Sequence, residues 1–196
     1  MSTQAMERKE DRSPDVARAA QRLARPRARV CLALKRLIDV VLASLMLVAL
    51  LPVLLVVVGL LALAGEGWFE KRNRLGRNGR TVVLRRFGEL PGGAFGRGLE
   101  RIGARELPLL LTVLRGRMSF VGPRALAPGT GAGYTGPRRL MAPGLTGPAQ
   151  RRSVEGREAD GLDDVYVANW SLWRDAQLLF GRSAKVAHHK VSKTSS

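Results

Sequence analysis

Most of the chain mixes apolar and polar residues over short distances, but residues 40–64 (VVLASLMLVALLPVLLVVVGLLALA) run for 25 positions without a charge. At about 1.5 Å per residue, a helix of that length reaches roughly 37 Å, enough to cross a bilayer. The run is longer than the apolar core of a secretory signal and follows a long polar arm, so cleavage is not expected. Pro52, near its centre, has no backbone donor and its ring clashes with the carbonyl four residues back, which predicts a bend or break. Both flanks are basic, with Arg22, Arg25, Arg27, Arg29, Lys35 and Arg36 before the run and Lys71, Arg72, Arg74, Arg77 and Arg80 after it. Such residues favour the cytoplasmic side, so a straight span satisfies one flank and a re-entrant helix satisfies both. An ordinary span with a tolerated proline is the alternative. Asp39 follows Lys35 and Arg36 by four and three positions, within helical reach of either cation.

Outside the run the patterns are shorter. Residues 1–30 form a basic arm, read either as disordered or as a short amphipathic helix around residues 15–23. Arg80-Thr81-Val82-Val83-Leu84-Arg85 has strand-like β-branched alternation, after a turn whose Asn78-Gly79 pair favours positive φ. Pro91, Gly92, Gly93, Gly96 and Gly98 mark a loop, and residues 104–114 resume a helical period. Residues 127–147 are rich in Gly and Pro and read as irregular surface, and residues 163–180 read as one helix. The boundaries that follow are an arm at 1–30, a membrane helix at 31–66, a cytoplasmic domain at 67–182 and a disordered tail at 183–196. The fold class is α+β, mostly α.

Composition narrows the chemistry. The 33 Lys and Arg against 16 Asp and Glu leave a formal charge of +17, which asks for a polyanionic neighbour. One cysteine, Cys31, excludes an internal disulfide, and two histidines, His188 and His189 in the tail, exclude a His-built metal site. Nucleic acid is not an expected partner, because the basic runs lack interleaved aromatics.

Several motifs then occur in a fixed order. They are Lys35-Arg36 with Asp39, the apolar run with Pro52, Arg74-Leu75-Gly76-Arg77-Asn78-Gly79, Glu106-Leu107-Pro108, Met118-Ser119-Phe120-Val121-Gly122-Pro123-Arg124, Pro143-Gly144-Leu145-Thr146-Gly147 and Asn169-Trp170-Ser171-Leu172. This series resembles the bacterial sugar transferase family, the monotopic phosphoglycosyl transferases, over about residues 33–180. The resemblance implies transfer of sugar 1-phosphate from a nucleotide diphosphate sugar, such as a UDP-sugar, to polyprenyl phosphate at the cytoplasmic face of the inner membrane. It also implies a re-entrant helix, Mg2+ on the diphosphate, and an initiating role in exopolysaccharide or other glycan synthesis. In the family an Asp-Glu pair before Leu-Pro supplies the nucleophilic carboxylate. Here the first member is Arg105, which stays protonated and cannot attack phosphorus. Leu109, Thr112 and Arg117 depart from the family pattern as well.

Three readings of Arg105 stay open. Glu106 serves as nucleophile or metal ligand, its charged form favoured by nearby cations and assisted by Glu100 or Glu89. Alternatively the fold keeps substrate binding without chemistry, as a membrane-anchored adaptor among polysaccharide-assembly proteins. Or the substitution is an isolated peculiarity. Arg124, Arg74 and Arg85 are the candidate phosphate-binding residues, since a planar guanidinium suits a diphosphate. Arg72, Arg74 and Arg77 equally suit anionic membrane lipids. Asp163 and Asp164 suit the N-terminus of the last helix better than a metal. Trp170 and Trp173 suit packing or an interface, and Pro143, Gly144 and Gly147 suit a shaped loop.

Overall fold

The computed structural model describes residues 13–65, 68–91, 93–129, 135–152 and 156–180. Residues 181–196, with His188 and His189, lie outside them, as do residues 1–12. Three helices come first: α1 (Ser13–Ala24), α2 (Pro26–Ala49) and α3 (Leu51–Ala64). Helix α1 falls in the arm that the sequence left between helix and disorder, and it buries Val16 and Ala19, one turn apart. Pro26 opens α2 at a position where its missing N–H costs nothing, so the helix that carries the first half of the apolar run starts five residues before residue 31.

Helix α2 ends at Ala49, and Leu50, at φ −94° and ψ 8°, joins it to α3. The two axes differ by 63°. The break falls two residues before Pro52, where the pyrrolidine ring forbids the preceding turn from continuing. Among the described residues no single helix is long and apolar enough to cross a membrane, and the bent pair meets that test only when its two helices are taken together, by length and composition. Gly65, at φ 71°, ends α3 in the left-handed conformation.

Strand β1 (Phe69–Leu75) pairs antiparallel with β2 (Thr81–Phe87). The turn between them has Asn78 at φ 57° and Gly79 at φ 74°, the positive values that this dipeptide tolerates. The Gly-rich stretch expected as a loop contains helix α4 (Gly93–Arg101). Gly96 explains why a poor helix former sits there: a Cβ would stand 2.6 and 2.5 Å from the carbonyl oxygens of Leu90 and Pro91, so close packing outweighs propensity.

Gly103, at φ 80°, leads into a 3-10 turn (Ala104–Glu106) and then α5 (Leu107–Leu114). β3 (Ser119–Val121) and β4 (Gly144–Thr146) form a short parallel pair. It joins the two most specific sequence motifs backbone to backbone: a Cβ on Gly144 would lie 2.2 Å from Gly122 N, and one on Gly147 would lie 2.1 Å from Gly122 O. A 3-10 turn (Pro137–Leu140) and helix α6 (Pro148–Arg152) flank β4. The stretch 163–180, expected as one helix, is two: α7 (Gly156–Ala168) and α8 (Leu172–Leu179). Ser171 makes the break, capping α8 by accepting at Oγ from Arg174 N at 3.3 Å. The fold is thus mostly helical with a small β component. Its core gathers Val57 and Leu61 of α3, Phe87, Leu107, Leu110, Val113, Phe120, Val121 and Tyr166.

Candidate active site

Glu106 closes the 3-10 turn that feeds α5, and its side chain is 43 % exposed. Oε1 pairs with Arg86, and Oε2 takes no hydrogen bond among the described residues. Strand alternation selects Arg86. Val82, Leu84 and Arg86 share one face of β2, whereas Val83 and Arg85 point the other way. Arg85 is therefore exposed and turned from Glu106, whereas its neighbour Arg86 pairs with that carboxylate. Arg74 pairs in register with Val82, which puts it on the same face as Arg86.

Arg105 is not a free cation beside Glu106. Nε donates to the Phe87 carbonyl at 3.2 Å, NH2 lies 3.4 Å from Glu70 Oε2, and NH1 lies 3.6 Å from Glu100 Oε1. Glu100 also accepts from Leu90 N at 3.1 Å, so the guanidinium ties both hairpin strands to α4. Arg72 donates to Glu70 Oε1 at 2.7 Å, and that bond holds the Glu70 carboxyl below its ordinary range. Burial opposes the effect, and the charges of Arg72, Arg86 and Arg105 add to it.

The residues chosen at the foot of the apolar run lock it to the domain. Arg36 NH1 and NH2 each donate at 2.5 Å, to the carbonyls of Val113 and Leu114, which end α5. The sequence put Arg36 within reach of Asp39, but helix capping takes it instead. Asp39 accepts from Ser119 Oγ at 2.7 Å and Phe120 N at 3.1 Å, with Lys35 Nζ 4.0 Å away. Lys35 Nζ also donates to the Val121 carbonyl at 2.9 Å and stands 2.7 Å from Asp175 Oδ2. Asp175 in turn accepts from the Tyr166 hydroxyl at 2.5 Å and from Trp170 Nε1 at 3.2 Å. Burial pushes the Tyr166 hydroxyl well above its ordinary pKa, and the adjacent Asp175 charge reinforces it. Asp175 was missed in the sequence. Its only signal was an acid four positions after the helix-capping Ser171.

Arg124 belongs to a separate cluster. Its NH2 lies 3.4 Å from Asp160 Oδ1, which also pairs with the fully buried Arg138. Asp163 accepts from Arg124 N at 2.9 Å, and Asp164 accepts from Arg138 N at 3.0 Å. The two acids thus hold loop backbones from the C-terminal half of α7 and do not cap a helix N-terminus. Asp163 is fully buried, with Oδ1 unpaired among the described residues, and burial raises its pKa to about 6 against the hydrogen bond and charge of Arg124.

Among the described residues no three His, Cys, Asp or Glu side chains converge on one point. Glu106 is paired with Arg86 and its neighbouring side chain is a cation, so this donor set does not fit a resident Mg2+.

With this fold and site in view, likeness to known proteins is specific. Residues 93–189 match the bacterial sugar transferase family. The chain is 33 % identical over 186 residues to the exopolysaccharide production protein PSS of Rhizobium leguminosarum bv. phaseoli, covering 76 % of this chain and 93 % of that one. It is 31 % identical over 185 residues to the exopolysaccharide production protein ExoY of Sinorhizobium fredii, covering 74 % and 82 %. It is 32 % identical over 177 residues to the UDP-glucose:undecaprenyl-phosphate glucose-1-phosphate transferase of Caulobacter vibrioides, covering 74 % of this chain and 66 % of that one. The chain belongs to the bacterial sugar transferase family.

Proposed function

We propose that this chain transfers sugar 1-phosphate from a nucleotide diphosphate sugar to polyprenyl phosphate, with Glu106 as the attacking carboxylate. The observation that carries the reading is Glu106 itself, an accessible acid with an open Oε2, fixed at Oε1 by Arg86 at the mouth of α5. In the first step Oε2 attacks the sugar-bearing phosphorus. The bond from that phosphorus to the bridging oxygen breaks, and the nucleoside monophosphate leaves with the electron pair. In the second, an oxygen of polyprenyl phosphate attacks the same phosphorus and the bond to Glu106 breaks, restoring the carboxylate. Arg86 and Arg74, on one face of the hairpin, neutralise charge on the phosphoryl oxygens. A UDP-sugar is the donor supported by the relative from Caulobacter vibrioides, and glycan initiation is the role supported by the exopolysaccharide proteins.

The apolar helix pair is proposed to dip into the cytoplasmic leaflet of the inner membrane and return. Both legs fasten on one small domain, Lys35, Asp39 and Ala43 from α2, and Val57 and Leu61 from α3. Leu45, Val48, Leu51 and Leu55, around the bend, face outward. That arrangement supports a hairpin over a span whose ends part, and anionic lipids suit the exposed Lys71, Arg77 and Arg80 beside it.

Arg105 favours a second reading. Its guanidinium is committed to Glu70, Glu100 and Phe87, where the family resemblance puts an acid. In that case the chain binds both substrates without turnover and serves polysaccharide assembly as an adaptor.

The test is nucleoside monophosphate release from purified protein supplied with Mg2+, polyprenyl phosphate and a panel of UDP-sugars, beside an active relative. Turnover that Glu106→Gln abolishes supports the first reading. No turnover on any donor leaves the adaptor, and full activity in Glu106→Gln removes Glu106 from the chemistry. In a Cys31→Ser background, cysteines at Arg27 and Arg80 should label from the same side of the membrane; labelling from opposite sides would reject the hairpin.

A further inference from the structure

A cavity of about 500 Å³ lies at the far end of α5 from Glu106. Helix α5 has eight residues, so about 12 Å of helix separates the two places. The cavity is roofed by Ala20 and Leu23 of α1 and walled by Leu32, Met118, Leu140 and Met141. Arg22 fixes the roof by donating to Ala168 O at 3.1 Å and Asn169 Oδ1 at 3.3 Å.

Four cations line this space, Arg29, Lys35, Arg36 and Arg77, against one carboxylate, Asp39. Three of these five groups are already engaged: Lys35 with Asp175, Arg36 with the α5 carbonyls, and Asp39 with β3. Arg29 and Arg77 are different. They come from α2 and from the β1–β2 turn, both are exposed, and neither has an ion pair or side-chain hydrogen bond among the described residues. Two uncompensated guanidinium groups over an apolar floor match a phosphate joined to a hydrocarbon chain. The location agrees, since α2 continues from this cavity into the exposed apolar surface of the helix pair.

We infer that this cavity is a second anion site, separate from Glu106, that takes the phosphate of a membrane amphiphile between Arg29 and Arg77. The phosphate bridges the two guanidinium groups, and the first carbons of its chain lie against Leu32 and Met141. The site requires no chemistry at Glu106.

The experiment uses the full chain in neutral detergent, titrated calorimetrically with dihexanoyl phosphatidic acid, dihexanoyl phosphatidylcholine or inorganic phosphate. Phosphatidic acid should bind at one site, at least tenfold more tightly than either other probe. Arg29→Gln/Arg77→Gln should weaken it tenfold or more, whereas Arg151→Gln/Arg152→Gln, which removes the same charge from exposed positions on α6, should change it less than twofold. Absence of binding, equal binding by the Arg29/Arg77 variant, or an equal loss in the Arg151/Arg152 variant would overturn the site. Inorganic phosphate binding as tightly as the lipid would overturn its assignment to an amphiphile.

Discussion

Arg105 donates from Nε to the carbonyl oxygen of Phe87 at 3.2 Å, across a turn of chain that brings the end of β2 beside the start of α5. The same guanidinium reaches Glu70 and Glu100, so a side chain unable to act as nucleophile braces the hairpin against α4. Removing the brace leaves a part-buried carbonyl without its donor and takes one cation from two carboxylates, which keep Arg72 and Leu90 N. Arg105→Ala should lower unfolding free energy by about 1 kcal/mol, a modest figure because the carboxylates are partly hydrated. Urea denaturation in detergent measures it.

Substituting an acid at the same place separates stability from chemistry. Arg105→Asp should lose the brace yet raise nucleoside monophosphate release at least tenfold over the native chain, because a second carboxylate then stands beside Glu106. An unchanged rate in protein that remains folded would show that the arginine is not what limits turnover.

Lys35 is the cation on which Asp39, Asp175 and the end of β3 converge. Lys35→Met keeps the stem and removes the charge, leaving two buried acids without their shared partner. The expected cost is roughly 3–5 kcal/mol, read as a fall in denaturation midpoint. Lys35→Met with Asp175→Asn should recover part of it.

Asp163 imposes a pH dependence of known sign. Its folded pKa of about 6 stands above the ordinary aspartate value of 3.8, so between these values the folded chain holds more proton than the unfolded one. This group's contribution is greatest below about pH 4, declines as pH rises through 6, and is flat beyond. By linkage the decline is roughly 3 kcal/mol. Asp163→Asn keeps an acceptor for Arg124 N but cannot titrate, so the native-minus-variant stability difference should fall by roughly 3 kcal/mol between pH 4 and 6.

The crossing of β3 and β4 tolerates no side chain at Gly144, where a Cβ would meet Gly122 N at 2.2 Å and Thr146 O at 2.4 Å. Both are backbone atoms, one across from β4 and one within it, so relief requires shifting the main chain itself. Gly144→Ala should cost about 3 kcal/mol or prevent folding. Gly59→Ala, with nothing within 4 Å of the added methyl, should be neutral or stabilising, and thermal unfolding compares the two.

Features with a local cause were legible in the sequence. The proline-broken apolar run, the Asn78-Gly79 turn and strand β2 follow from rules that act over a few residues. Strand β1 was not, because Phe69-Glu70-Lys71-Arg72-Asn73-Arg74-Leu75 has no alternation and is held by pairing with β2. Helix α4 was hidden by its glycines, of which Gly96 serves close packing. At the site, Glu106 and Arg105 were found by motif, but which arginine faces Glu106 depended on strand phase, and phase comes from pairing. The motif Met118-Ser119-Phe120-Val121-Gly122-Pro123-Arg124 was recognisable as a string, whereas its meeting with Gly144 and Gly147 is a long-range contact that no local pattern encodes.

The bond between Lys35 and Asp175 joins two residues far apart in the sequence, so the foot of α2 is completed only when α8 packs against it. A variant in which α8 cannot form would leave the Lys35 ammonium to Asp39 and the Val121 carbonyl alone, and the start of the apolar pair would be held less firmly.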